Sequence, residues 1–116
     1  MQVEDIRVFI PSKDYEVSKT FYKSLGFSMA EANENLTIFE NGGSTFFLQR
    51  YFNQQFAENL MLQLIVADIE EAFKTISGLT HPNIRYEPIK DERWGRVIYL
   101  WGPAGELLHI TQLNTQ

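Results

Sequence analysis

A helical pattern that occurs twice limits this chain's fold more than any other feature. Tyr15, Ser18, Tyr22 and Leu25 fall on one face at close to 3.6-residue spacing, with Phe21 beside them. Ile69, Ala72, Ile76 and Leu79 repeat that face 54 residues later, and Glu16 and Glu70 correspond too. Both helices carry a start signal. Asp14 suits the N-cap of the first, where its carboxylate accepts from a free backbone N–H and its charge meets the positive helix end. Asp68 suits the second, with Glu71 three residues on at capping-box spacing. Gly26 supplies a stop for the first, since it lacks the Cβ that makes a left-handed residue costly. Residues 13–27 are therefore predicted as one helix with its cap and terminator.

Each helix sits in a similar run of strands. Residues 6–11 alternate, with Ile6, Val8 and Ile10 on one side and Arg7, Phe9 and Pro11 on the other. Pro11 cannot donate to a ladder, so this strand ends there or lies at an edge. After the helix, strands are predicted at 27–32 and 36–40 around turn residues 33–35. Asn41-Gly42-Gly43 predicts a hairpin into an aromatic-rich strand at 44–50. Residues 51–59 have no clean period and read as a connection carrying Tyr51, Phe52 and Phe56. The order then restarts: a strand at 60–66, the second helix, a loop at His81-Pro82-Asn83, a strand at 84–89, a turn at 91–95, a strand at 96–101, a tight turn at 102–105 and a strand at 107–111. The prediction is an α+β fold, one domain over residues 1–116 made of two βαβββ modules (about 1–50 and 60–116) joined by linker 51–59. Neither module is large enough to bury both faces of its sheet, so a composite core or an intimate dimer is expected.

Composition removes several classes of function. The chain has no cysteine, which excludes disulfides and thiolate chemistry and fits a reducing compartment. Its N-terminus has acidic residues and no long apolar run, unlike a signal peptide. No stretch approaches the roughly 20 apolar residues of a membrane span. A soluble cytoplasmic protein is expected, with no membrane partner. The net charge of −5 argues against a nucleic-acid partner and is compatible with a cationic small molecule. No Gly-x-Ser-x-Gly elbow, HExxH or phosphate-binding glycine loop occurs. Glu70-Glu71 reads as helix-start electrostatics, Asp91-Glu92 as a solvated turn, and His81 as loop surface.

The helix end FYKSLGF at residues 21–27, together with Trp94-Gly95 and the GPAGE segment at 102–106, resembles the vicinal-oxygen-chelate superfamily. That group includes glyoxalase I, extradiol dioxygenases, fosfomycin-resistance enzymes and bleomycin-resistance proteins. GPAGE is similar to the family's DPDGN turn, with Gly102 and Ala104 in place of its two Asp. The overall look is closest to the drug-binding, bleomycin-resistance-like members. The resemblance implies two curved half-barrel sheets facing a cleft, within one chain or across a homodimer. In the family's enzymes a divalent metal sits there on four side chains.

Counting seven residues back from each capping Asp gives Arg7 and Met61, and four forward from each turn glycine gives Phe47 and His109. Arg7 is a permanent cation, Phe47 has no donor atom, and Met61 is a soft thioether poorly matched to these metals. Only His109 is a ligand in kind, and counting Gln49 instead of Phe47 leaves two donors. No metal and no cofactor are expected. The faces away from the helices would carry Arg7, Phe9, Phe47 and Gln49 from the first module. The second would add Met61, Gln63, Ile65, His109 and Thr111. With Trp94, these make an apolar and aromatic cleft with a few polar handles, suited to a planar or aromatic ligand. Tyr51, Phe52, Phe56 and Trp101 read as a dimer interface or pocket rim. Three readings stay open. The first is a metal-free, non-catalytic sequestering protein like those conferring bleomycin resistance, with a cationic or aromatic ligand. The others are a glyoxalase- or dioxygenase-type enzyme with a non-standard metal site, and an interaction module whose cleft is filled by its own side chains.

Overall fold

The computed structural model describes residues 1–81 and 83–115; Pro82 of the expected His81-Pro82-Asn83 loop lies outside the described residues. The first half runs β1 (Phe9–Pro11), α1 (Tyr15–Ser24), β2 (Ser28–Asn33), β3 (Leu36–Asn41) and β4 (Ser44–Gln49). A short helix, α2 (Gln54–Asn59), follows. The second half runs β5 (Met61–Ile65), α3 (Ile69–Ser77), β6 (Arg85–Tyr86), β7 (Lys90–Glu92), β8 (Gly95–Trp101) and β9 (Leu107–Leu113).

The helix boundaries follow from their caps. Asp14 has extended backbone and accepts from the Val17 N–H at 3.2 Å, so α1 begins after it rather than at Lys13. The helix closes at Leu25, and Gly26 follows at φ 109°, the left-handed stop expected of it. Asp68 Oδ1 accepts from the N–H groups of Glu70 and Glu71 at 3.0 and 3.2 Å. A third α3 donor, Ile69 N–H, is held by the Gln112 side chain of β9 at 2.8 Å, which ties the helix start to its sheet.

The two sheets share one topology. In the first, the order is β1-β4-β3-β2; in the second it is β5-β9-β8-β6, with β7 also on β8. The first and last strands of each unit pair parallel (β1 with β4, β5 with β9), and every other pairing is antiparallel. No closed barrel forms. Gly42 and Gly43, at φ 57° and 82°, make the two-residue turn joining β3 to β4.

Three expectations are corrected. The first strand begins at Phe9, not Ile6; its last rung is the Phe47 N–H to Val8 carbonyl bond at 2.9 Å, and Ile6 is exposed. Within the expected linker, residues 54–59 are helical. Asn53 caps them, accepting from Phe56 N–H at 2.9 Å, and Ala57 is fully buried. The strand expected at 84–89 and the turn at 91–95 become β6 and β7, with the turn only at Arg93–Trp94. Pro88 has no N–H, so the ladder breaks there; Glu87 still donates to the Tyr99 carbonyl at 2.9 Å.

The helices lie against one side of each sheet and seal a single core. Tyr22 meets Phe21, Phe27, Phe39 and Phe46 at ring-centroid distances of 4.9 to 6.3 Å. Ile69, Ile76, Ile98, Leu100, Leu108 and Ile110 continue the same cluster from the second unit. Each fully buried side chain of this size contributes about 2 kcal/mol. One polar bond crosses the units inside this core: Tyr22 Oη–H donates to Glu106 at 2.6 Å, and both residues are buried. The other Glu106 oxygen accepts from Ala104 N–H at 2.9 Å. Gly102 leaves room for this carboxylate, since a Cβ there would stand 2.6 Å from both oxygens. With extents of 44 × 41 × 27 Å, the molecule is a slab. Its thin dimension suits one sheet layer and one helix layer about 10 Å apart, leaving the other sheet faces uncovered.

Candidate functional site

Residues directly opposite across paired strands share a face, so the registers define what the uncovered faces present. On the second sheet one row runs Met61, Leu107, Trp101, Arg85. The next holds Gln63, His109 and Tyr99, and a third holds Ile65, Thr111, Val97 and Lys90. On the first sheet Phe9, Phe47 and Ile38 form one row, and Pro11, Gln49 and Leu36 the next. Met61 is 63% exposed, Ile65 54% and Phe9 46%, well above what an ordinary core position shows. Thr111 and Val97 are fully covered, so the floor is closed at that row.

The aromatic groups on this face are ordered by one another. Phe9 and Phe47 meet with their rings tilted by 53° and centroids 4.8 Å apart, and the Arg7 guanidinium lies 5.8 Å from the Phe47 ring. Arg7 also pairs with Asp5 at 3.1 Å, and this contact and the Ile6 N–H hold the Asp5 carboxyl below its ordinary pKa. His109, half-buried, meets Tyr99 edge to face at 5.0 Å. Beside it, Gln63 Nε2 donates to Thr111 Oγ1 at 3.5 Å, and Thr111 Oγ1–H donates to the His109 carbonyl at 3.1 Å. The Arg85 guanidinium sits 3.8 Å over the Trp101 ring.

The four counted metal positions do not converge as a set. Phe9, not Arg7, is level with Phe47, and Gln63, not Met61, is level with His109. Neither choice supplies a donor set: guanidinium and phenyl have no lone pair to offer, and one imidazole beside one amide is short of the three or four ligands a divalent site needs. Among the described residues no group of three or more His, Cys, Asp or Glu side chains is placed to hold a metal. The side chains present therefore do not fit the metal that the enzymes of this fold imply.

The other expected residues are spread more widely. Trp94 lies in the β7–β8 turn, 47% exposed, at the far end of β8 from Trp101, about 23 Å along the strand. Tyr51, Phe52 and Phe56 are exposed before and within α2. His81 is half-buried and accepts from Asn83 N–H in its own turn at 3.1 Å. Arg85, Tyr99 and Leu107 join the face without having been anticipated. Alternation along 95–101 carried the signal for Tyr99, which shares parity with Val97 and Trp101; Arg85 was hidden by the break at Pro88. A groove of about 630 Å³ also opens, on the helix side between the units. Its walls are mostly core side chains such as Ile10, Tyr22, Leu62 and Ile76, and Gln63 and Ile65 are the expected cleft residues there. The tilted Phe9–Phe47 pair and the edge-to-face Tyr99–His109 pair are on the other side.

No family model matches the sequence, and no curated protein matches it. The fold does match solved structures. A bleomycin-resistance determinant encoded on the transposon Tn5 is 20% identical, with a TM-score of 0.80 over 97% of this chain and 100% of that one. A bleomycin-binding protein from Streptomyces verticillus, solved with copper(II)-bleomycin, is 16% identical, with a TM-score of 0.81 over 98% and 99%. A fosfomycin-resistance protein from Listeria monocytogenes, solved with Mn(II) and sulfate, is 13% identical, with a TM-score of 0.79 over 98% and 93%. This chain has the fold these proteins share, that of the vicinal-oxygen-chelate proteins.

Proposed function

We propose that this protein binds and sequesters a small molecule with a planar or aromatic body, holding it in a cleft between the uncovered sheet faces of two copies. The observation that carries the reading is the composition of that face. It offers paired rings (Phe9 with Phe47, Tyr99 with His109), exposed apolar side chains and a few oriented polar groups, and no set of metal donors. Such a surface binds by stacking and burial rather than by making bonds. The fold shared with two proteins of bleomycin binding and resistance supports the same reading. A metal-dependent reaction of the kind a Mn(II)-bearing relative suggests is disfavoured by Arg7, Phe47 and Met61 at the counted positions.

The test is a tryptophan-fluorescence titration with bleomycin, metal-free and copper-loaded. Saturable binding near or below the micromolar range, about −8 kcal/mol, supports drug sequestration. Phe47→Ala should then weaken it by about tenfold, the loss of one stacked ring. A flat titration with folded protein would remove bleomycin-type drugs as the ligand.

A further inference from the structure

Building on that reading of the uncovered face, we propose that the row Met61, Leu107, Trp101, Arg85 is a subsite for an amphipathic anion. A flat apolar body would lie over the first three side chains, with its carboxylate or sulfonate on Arg85. Two features of Arg85 carry this. Stacking at 3.8 Å on Trp101 fixes the plane of its guanidinium, so the N–H fork is already oriented and little side-chain freedom is lost on binding. No ion pair or side-chain hydrogen bond engages that fork among the described residues. By contrast, Arg7 is held by Asp5, Arg50 by the Glu34 carbonyl, and Arg96 by Glu70 and Asp91.

The charge pattern points the same way. The whole chain carries −5. Yet the ionisable residues that the three rows place on this face are Arg85, His109, Tyr99 and Lys90, and Glu87, whose N–H donates to the Tyr99 carbonyl, adds one carboxylate level with Tyr99 against the two permanent cations. Glu92, one row further along, is engaged by Lys90 at 3.6 Å. A cationic ligand would meet Arg85 as a like charge, whereas an anion meets a preset fork. The row also sets a size. Four strands at their usual spacing put Arg85 about 14 Å from Met61, the length of a fused aromatic body with a short acid tail.

Three probes with one ring system separate this inference from the broader reading: pyrene-butyrate, pyrene-butanol and pyrene-butylammonium, each titrated against tryptophan emission. The butyrate should bind about tenfold more tightly than the ammonium, a gap that narrows as salt rises. Arg85→Gln should lower butyrate affinity to that of the butanol and leave the butanol unchanged, and Arg85→Lys should recover part of the loss. Circular dichroism establishes that both variants are folded. If the ammonium binds as tightly as the butyrate, or if Arg85→Gln leaves their ratio intact, the anion subsite is wrong while binding of the butanol keeps the small-molecule reading. If none of the three binds, both are overturned.

Discussion

At the scale of single residues, the contact most exposed to test is the bond between Tyr22 and Glu106. The carboxyl is buried, and burial raises its pKa above the ordinary 4.5, against the opposing pull of its bond from Tyr22 and of nearby N–H groups. Burial and the neighbouring carboxylate likewise push the Tyr22 hydroxyl well above 10.0, so it stays a donor. Tyr22→Phe leaves a buried carboxylate oxygen without its donor and should cost about 2 kcal/mol in a urea melt. The pH dependence has a definite sign. A raised folded-state pKa means the fold holds this proton more tightly than the unfolded chain does. Its contribution is therefore complete below 4.5 and lost as pH rises through the raised value. Glu106→Gln removes that loss, so the variant's stability relative to the parent should grow as pH climbs from 4 towards 7; a constant difference would contradict the assignment. The sequence placed Tyr22 on the buried helical face and 102–106 in a tight turn. It could not show that they meet, because no periodic pattern links residues 84 apart.

Secondary-structure elements were legible in proportion to their length and their caps. Both long helices are where period and capping put them, since nine or ten residues give a face two to three turns to repeat. The six residues of α2 complete less than two turns, so Asn53 was its one sequence signal. The broken strand β6–β7 failed for another reason: Ile84 and Ile89 marked an apolar run, but the missing N–H of Pro88 decides where pairing stops. Of the expected cleft residues, Phe47 and Gln49 of β4 and Gln63 of β5 and His109 of β9 occupy alternate register positions, the spacing by which a strand sets residues on one face. Cross-strand neighbours depend on register, which counting from capping residues put one rung off. Capping also gives an element-scale prediction. Asp68 serves two N–H groups where Asp14 serves one. Asp68→Ala should cost about 1 kcal/mol in thermal or urea denaturation, and more than Asp14→Ala.

For the whole molecule, a two-layer slab with helices on one side leaves an apolar sheet surface that a soluble chain ordinarily covers. A second copy is the proposed cover. Sedimentation equilibrium should then give twice the 13.5 kDa chain mass, and Phe52→Lys with Phe56→Lys should return it to one chain with an unchanged circular dichroism spectrum. A single-chain mass for the unaltered protein would instead leave each face to bind ligand alone. The parallel pairing of the first and last strand in each unit has a kinetic consequence. No hairpin can bring β1 to β4 or β5 to β9, so each sheet edge closes only after the helix and strands between have collapsed, the kind of non-local closure that slows folding. On a ribosome the first unit has its full set of strands once residue 49 has emerged. The Tyr22 hydroxyl, however, must wait for Glu106, so the nascent first half carries a donor in its core whose acceptor has not yet been made.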